Sequence, residues 1–279
     1  MFRLDGRAGK IIIGIIGAAV IVVAVILLTL LKTNGNNVTD AEVSAGITFL
    51  QQLEGRDIGD IEAQVQAIRA EQARQLRQER AEEILNGEIP VWSMFQDYVL
   101  MGDSRAVGFT FYQLLPDDRV MAKEGATIKK IPEYLDTIKA LNPTTLFMCY
   151  GLNDVLNNLG GSAEGYKAAY QEMLVELKKA APNARIFISS ILPAYEPGAS
   201  KYEGYKNIPA YNQAIKEFCE ENEGVYYVDN DEIGSDYKNL YEPDGVHVSK
   251  AFYSYWALNM ILAQTEADDE EAEAAAAAA

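Results

Sequence analysis

Ser104, Asp244 and His247 are the residue types from which a nucleophilic acyl-transfer site can be built, and they stand far apart in the chain. A serine hydroxyl attacks an acyl carbon only when a base takes its proton. An imidazole does this best when a third group fixes its orientation. The chain holds a single histidine, His247, so any such base is fixed by composition. Asp244 precedes it by three residues in the stretch DGVH, and Ser104 lies in GDSR directly after the apolar run Tyr98–Met101. Gly102 permits a tight turn there. A serine that follows a strand and opens a helix meets free backbone amides and the positive end of the helix dipole, both of which favour developing negative charge.

Two further blocks lie between these ends: Gly125 in KEGAT and the pair Asn153 and Asp154 in YGLND. Alone, each is weak, since a glycine after a strand is usually a turn and an Asn-Asp pair commonly caps a helix. Asp103 and Asp154 read as structural carboxylates that bind loop amides rather than as paired catalytic acids. No G-x-S-x-G elbow, P-loop or dinucleotide fingerprint occurs. A zinc site needs three or four His, Cys or carboxylate ligands, and one histidine with two cysteines in apolar contexts is poor material. No metal and no cofactor is expected.

Taken in order, GDS at 102–104, the glycine at 125, GLND at 151–154 and DGVH at 244–247 resemble the blocks of the SGNH, or GDSL-type, serine hydrolase family. The resemblance covers the stretch from about Trp92 to Ala263. It implies Ser104 as nucleophile, His247 as general base and then acid, and Asp244 as the group that orients the imidazole. It also implies an oxyanion hole made from the backbone amides of Ser104 and Gly125 and the side chain of Asn153. One departure is Arg105, where GDSL enzymes carry leucine. That cation, with Tyr150 and Tyr195, is a candidate substrate contact; pairing with an acidic neighbour is its structural alternative. Tyr202 and Tyr205 fall near the same loops, where aromatic faces would suit sugars. With sixteen tyrosines in the chain, ordinary packing is the competing reading.

These residues need a scaffold, and the pattern from Trp92 on supplies one. Short apolar runs at Tyr98–Met101, Arg119–Ala122, Thr145–Tyr150, Arg185–Ile191 and Val225–Val228 alternate with helical patterns at Arg105–Leu115, Lys129–Leu141, Ala163–Ala180, Asn207–Asn222 and Ser249–Gln264. Apolar strands alternating with helices predict a three-layer α/β/α domain with a five-stranded parallel sheet, the flavodoxin-like fold of SGNH hydrolases. Every candidate site residue then falls beyond the carboxyl ends of the strands.

The amino-terminal part is of another kind. Residues 11–31 carry no charge, and at about 1.5 Å per residue they make a helix of about 30 Å, enough to cross a bilayer. A signal peptide is the rival, but its apolar core is shorter and ends at a small-residue cleavage site, whereas this run ends in LLKTNGNN. Arg3, Arg7 and Lys10 precede the run and Lys32 follows it, which predicts a cytoplasmic amino terminus and an extracytoplasmic remainder. The organisation expected is therefore a cytoplasmic 1–10, a transmembrane helix at 11–31, a helical spacer over 32–91, a hydrolase-like domain over 92–265 and an acidic, alanine-rich, disordered tail over 266–279. Gly14 and Ala18 in the anchor, or the broken apolar stripe of the spacer, offer surfaces for self-association.

A formal charge of −17 opposes binding to nucleic acid and favours neutral substrates. Cys149 and Cys219 sit in apolar contexts and read as two buried free thiols. The expectation is a membrane-tethered, extracytoplasmic serine esterase acting on a small-molecule or glycan ester of short acyl length, with acetyl the first choice. An O-acyltransferase with the same triad and a non-catalytic scaffold that binds a partner through its spacer are the alternatives.

Overall fold

Five apolar runs become strands because both of their faces find helices to bury against. They are β1 (Tyr98–Gly102), β2 (Val120–Ala122), β3 (Thr145–Cys149), β4 (Arg185–Ser189) and β5 (Val225–Val228). All pair in parallel, in the order β2-β1-β3-β4-β5. The computed structural model describes residues 90–278 without a break, together with isolated positions between 43 and 88. The chain divides into two units, Met1–Gln72 and Ala73–Ala279, and the sheet belongs to the second. The expected anchor at 11–31 and most of the expected spacer lie outside the described residues. Among the described residues no helix is long and apolar enough to cross a membrane.

Within residues 90–278 the helices are α1 (Ser104–Phe111), α2 (Leu135–Leu141), α3 (Leu152–Leu156), α4 (Ala163–Ala180), α5 (Gly198–Lys201), α6 (Ile208–Glu221), α7 (Asp231–Asp236) and α8 (Phe252–Ala278). Strand side chains alternate between two cores. Val99, Met101, Leu146 and Met148 join Leu174 of α4 and Ile215 of α6 on one face. Leu100, Phe147 and Phe187 join Phe109 of α1 and Phe252 and Trp256 of α8 on the other. The sheet is thus covered on both sides, as the three-layer expectation requires.

Two expectations need correction. The helix expected over Lys129–Leu141 is split: Ile128–Tyr134 is a 3-10 segment containing Pro132, and α2 begins only at Leu135. Proline lacks the amide and crowds the preceding turn, so an α-helix does not run through it. The tail expected to be disordered is helical, since α8 continues to Ala278. Alanine has the highest helix propensity, and Asp268 on this extension pairs with Arg185 at the start of β4. Cys149 and Cys219 are buried and unpaired.

Phe109 sits on the helix that begins with Ser104, is wholly buried, and packs against Tyr253 at 4.9 Å and Trp256 at 5.4 Å between ring centroids. Phe109→Ala should lower folding stability by about 3–5 kcal/mol, read as a fall in urea midpoint at unchanged slope. An unchanged midpoint would contradict this account of the core.

Candidate active site

The chain leaves β1 for β2 on one side of the sheet and returns past β1 to β3 on the other. Loops that diverge in this way open a crevice at the carboxyl edge, between β1 and β3. Register sets their level, because Gly102 of β1 pairs with both Ala122 of β2 and Cys149 of β3. Ser104, Gly125 and Asn153 follow these three strands within a few residues. The approach is close enough that a Cβ on Gly102 would lie 2.4 Å from the Ala106 Cβ and 2.6 Å from the Cys149 carbonyl oxygen. Gly125 is needed for a different reason: its φ of +72° is one that residues with side chains rarely adopt.

At this edge the structure brings together the residues expected for a triad. Ser104 Oγ lies 3.2 Å from His247 Nε2, and His247 Nδ1 lies 2.6 Å from Asp244 Oδ2. The other carboxylate oxygen, Oδ1, accepts the backbone N–H groups of Val246 at 2.8 Å and His247 at 2.9 Å. Partial burial alone would raise the Asp244 carboxyl, but the bonds from the His247 ring and from the two amides outweigh it and hold the group below its ordinary value. Asp244 therefore stays an acceptor, and its bond leaves Nε2 facing the serine. The two side chains are about half exposed, at 47% for His247 and 49% for Asp244.

The three expected oxyanion donors leave neighbouring strands. Ser104 is the first residue of α1, so its amide has no acceptor within the helix. Gly125 is exposed in the turn after β2. Asn153 is half-buried at the start of α3 and donates one Nδ2 hydrogen to the Ala126 carbonyl at 3.0 Å, which leaves its second N–H available.

Arg105 and Tyr150, expected as substrate contacts, are both buried and cannot serve as such. The Arg105 guanidinium donates through Nε to the Val246 carbonyl at 2.8 Å, through Nη1 to Leu192 at 2.6 Å and through Nη2 to Pro193 at 3.0 Å. It clamps the nucleophile helix to the histidine loop and to the loop after β4. Tyr150, the residue after β3, packs into the core, and its hydroxyl has no hydrogen-bond partner. Tyr195 is half-buried; its hydroxyl donates to the Gly234 carbonyl at 2.8 Å and its amide to that of Gly245 at 2.7 Å. It supports the histidine loop from behind.

Asp103 and Asp154 bind loop amides, as the sequence suggested. Asp103 accepts the N–H groups of Arg105 at 3.0 Å and Leu152 at 3.1 Å, which caps α1 and ties the serine turn to α3. Burial pushes its carboxyl up to about 6, against the opposing pull of the Arg105 charge and those amides. The Leu192 and Pro193 carbonyls and the Tyr253 hydroxyl, which donates to the Arg105 carbonyl at 2.7 Å, escaped sequence reasoning. Backbone acceptors far along the chain leave no trace in a motif.

The sequence model of the GDSL-like Lipase/Acylhydrolase family matches residues 101–255. No curated protein matches the chain. Among solved structures, a GDSL-like lipase from Bacteroides thetaiotaomicron is 21% identical, over 62% of this chain and 88% of that one, with a TM-score of 0.47. A family 3 carbohydrate esterase from Clostridium thermocellum is 20% identical over 59% and 92%, with a TM-score of 0.44. A carbohydrate esterase family 3 structure from Talaromyces cellulolyticus is 18% identical over 61% and 96%, also at 0.44.

Arg105→Lys keeps the charge but cannot reach three carbonyls with one ammonium. It should cost about 2–3 kcal/mol of stability and should slow reaction at Ser104 by loosening the histidine loop. Urea unfolding and the labelling rate with a fluorophosphonate probe measure the two effects. Unchanged stability would show that the clamp bears no strain.

Proposed function

The chain belongs to the GDSL-like Lipase/Acylhydrolase family, and we propose that it is a membrane-tethered, extracytoplasmic esterase that removes a short acyl group, acetyl first, from a glycan. It is a serine ester hydrolase. The observation that carries the mechanism is the continuous contact from Ser104 Oγ through the His247 ring to Asp244.

In this reading Ser104 Oγ attacks the ester carbonyl while His247 Nε2 takes the hydroxyl proton. Asp244 holds Nδ1–H and stabilises the imidazolium that forms. The amides of Ser104 and Gly125 and the free N–H of Asn153 receive the charge on the carbonyl oxygen. His247 then protonates the departing sugar oxygen. Water, activated by the same ring, attacks the acyl-enzyme and frees the acid and Ser104.

Three features support the finer parts. His247 and Asp244 are half exposed, which leaves room for a bulky alcohol portion of the ester. The segment around α5 lies between the two chemical loops: Gly198 faces the Asp244 carbonyl and the Val246 side chain, and Gly204 faces Val155 and Leu156. This segment carries Tyr202, 40% exposed and edge-on to Tyr205 at 5.6 Å, an aromatic face of the kind that stacks on sugar rings. Tethering rests on the uncharged stretch 11–31 and on the cations that precede it.

Ser104→Ala should abolish both ester hydrolysis and fluorophosphonate labelling, and persistent labelling would exclude this serine. Asn153→Ala should lower kcat by about 10²–10³. Acetylated oligosaccharides should release free acetate, and transfer of acetyl to an added glycan would convert the assignment to a transferase.

A further inference from the structure

Asp154 is fully buried, and the chemistry above gives it no part. Its Oδ1 accepts the Ile128 N–H at 3.0 Å, while Oδ2 has no partner. The Tyr150 hydroxyl is buried and unpartnered too, and those of Tyr166 and Tyr170 are buried facing each other. The rings of Tyr166 and Tyr170, one turn apart on α4, lie 5.0 Å from each other, and all three phenols feel the Asp154 charge. Buried polar atoms are seldom left orphaned without a reason. The neighbour of Asp154 is Asn153, whose side chain holds the Ala126 carbonyl. Two consecutive residues of α3 therefore grip the segment 125–128 at two points, and that segment begins with the Gly125 amide.

We propose that Asp154 is a positioning residue of the oxyanion hole, holding the 125–128 segment against α3 and thereby setting where the Gly125 amide and the Asn153 side chain point. The inference rests on the esterase reading. The titratable groups that face Asp154 are Asp103 from the turn after β1, Tyr150 at the end of β3, Tyr166 and Tyr170 from α4, and Tyr211 from α6; no cation is among them. Burial pushes the carboxyl up to about 7; the Ile128 amide opposes this and the Asp103 charge adds to it. The raised value favours the neutral acid on the acidic side of neutrality. Because the folded value lies above the ordinary 3.8, the contribution of this group to stability is complete below that value and is lost as pH rises through about 7. Ionisation places a buried charge near the Asp103 carboxyl that only the backbone amides of Ile128, Asp154 and Gly151 offset, and its relief requires the carboxylate to shift, disturbing the bond to Ile128.

An asparagine reproduces the neutral acid: its carbonyl accepts from Ile128 and its amide occupies the place of the hydroxyl. The full chain, as wild type, Asp154→Asn and Asp154→Ala, is to be compared by fluorophosphonate labelling rate at pH 6 and pH 8 and by kcat and KM on 4-nitrophenyl acetate. Asp154→Asn should label within about twofold of wild type at pH 6 and gain on it at pH 8, while Asp154→Ala loses about tenfold in kcat at little change in KM. If Asp154→Ala does not fold, the ratio of Asp154→Asn to wild type at the two pH values decides alone. An Asp154→Asn labelling rate tenfold below wild type at pH 6, a ratio to wild type that does not rise by pH 8, or an alanine variant with full kcat overturns the inference. Wild type that fails to label at either pH overturns the esterase reading, and this inference with it.

Discussion

The guanidinium of Arg105 donates to the carbonyls of Leu192, Pro193 and Val246, and through those bonds three separate stretches of chain share one anchor. Ser104 is the residue before it, and His247 the residue after one of its acceptors. A cation removed from water needs its donors fully used, so any shift of the histidine loop away from α1 leaves a charged N–H without a partner. This makes the separation between serine and imidazole stiff, although the imidazole itself stands half in solvent. The Tyr253 hydroxyl on α8 binds the Arg105 carbonyl and extends the same anchoring to the last helix.

Much of the scaffold was legible because its causes are local. Strands covered on both faces read as short apolar runs, and all five end within two residues of where the sequence placed them. The helix across Pro132 was misjudged because an apolar stripe outweighed the missing amide. The tail was misjudged because charge and low complexity were weighed above the helix propensity of alanine and the reach of Arg185. The short helices α3, α5 and α7 gave no periodicity long enough to detect.

At the site, residue type and order announced which side chains to examine, and the sheet explains why they lie at one edge. Arg105 was misread since a cation beside a nucleophile suggests a substrate, whereas its acceptors are backbone oxygens some 90 to 140 residues away. Tyr150 was misread since the end of a strand looks like the lip of a cleft, yet its ring turns inward to the core. Behind the serine turn, Asp103 and Asp154 join β1, α3 and the segment after β2 through backbone amides. A lattice of this kind depends on carboxyl geometry more than on neighbouring side-chain identity.

Asp244 receives the ring of His247 and the amides of Val246 and His247 within a span of four residues. The acid and base are thus aligned with each other inside one short turn. The proton-handling pair is therefore a local module whose inner geometry can survive a small shift of the loop, while its placement against the serine is set from outside by Arg105 and Tyr195.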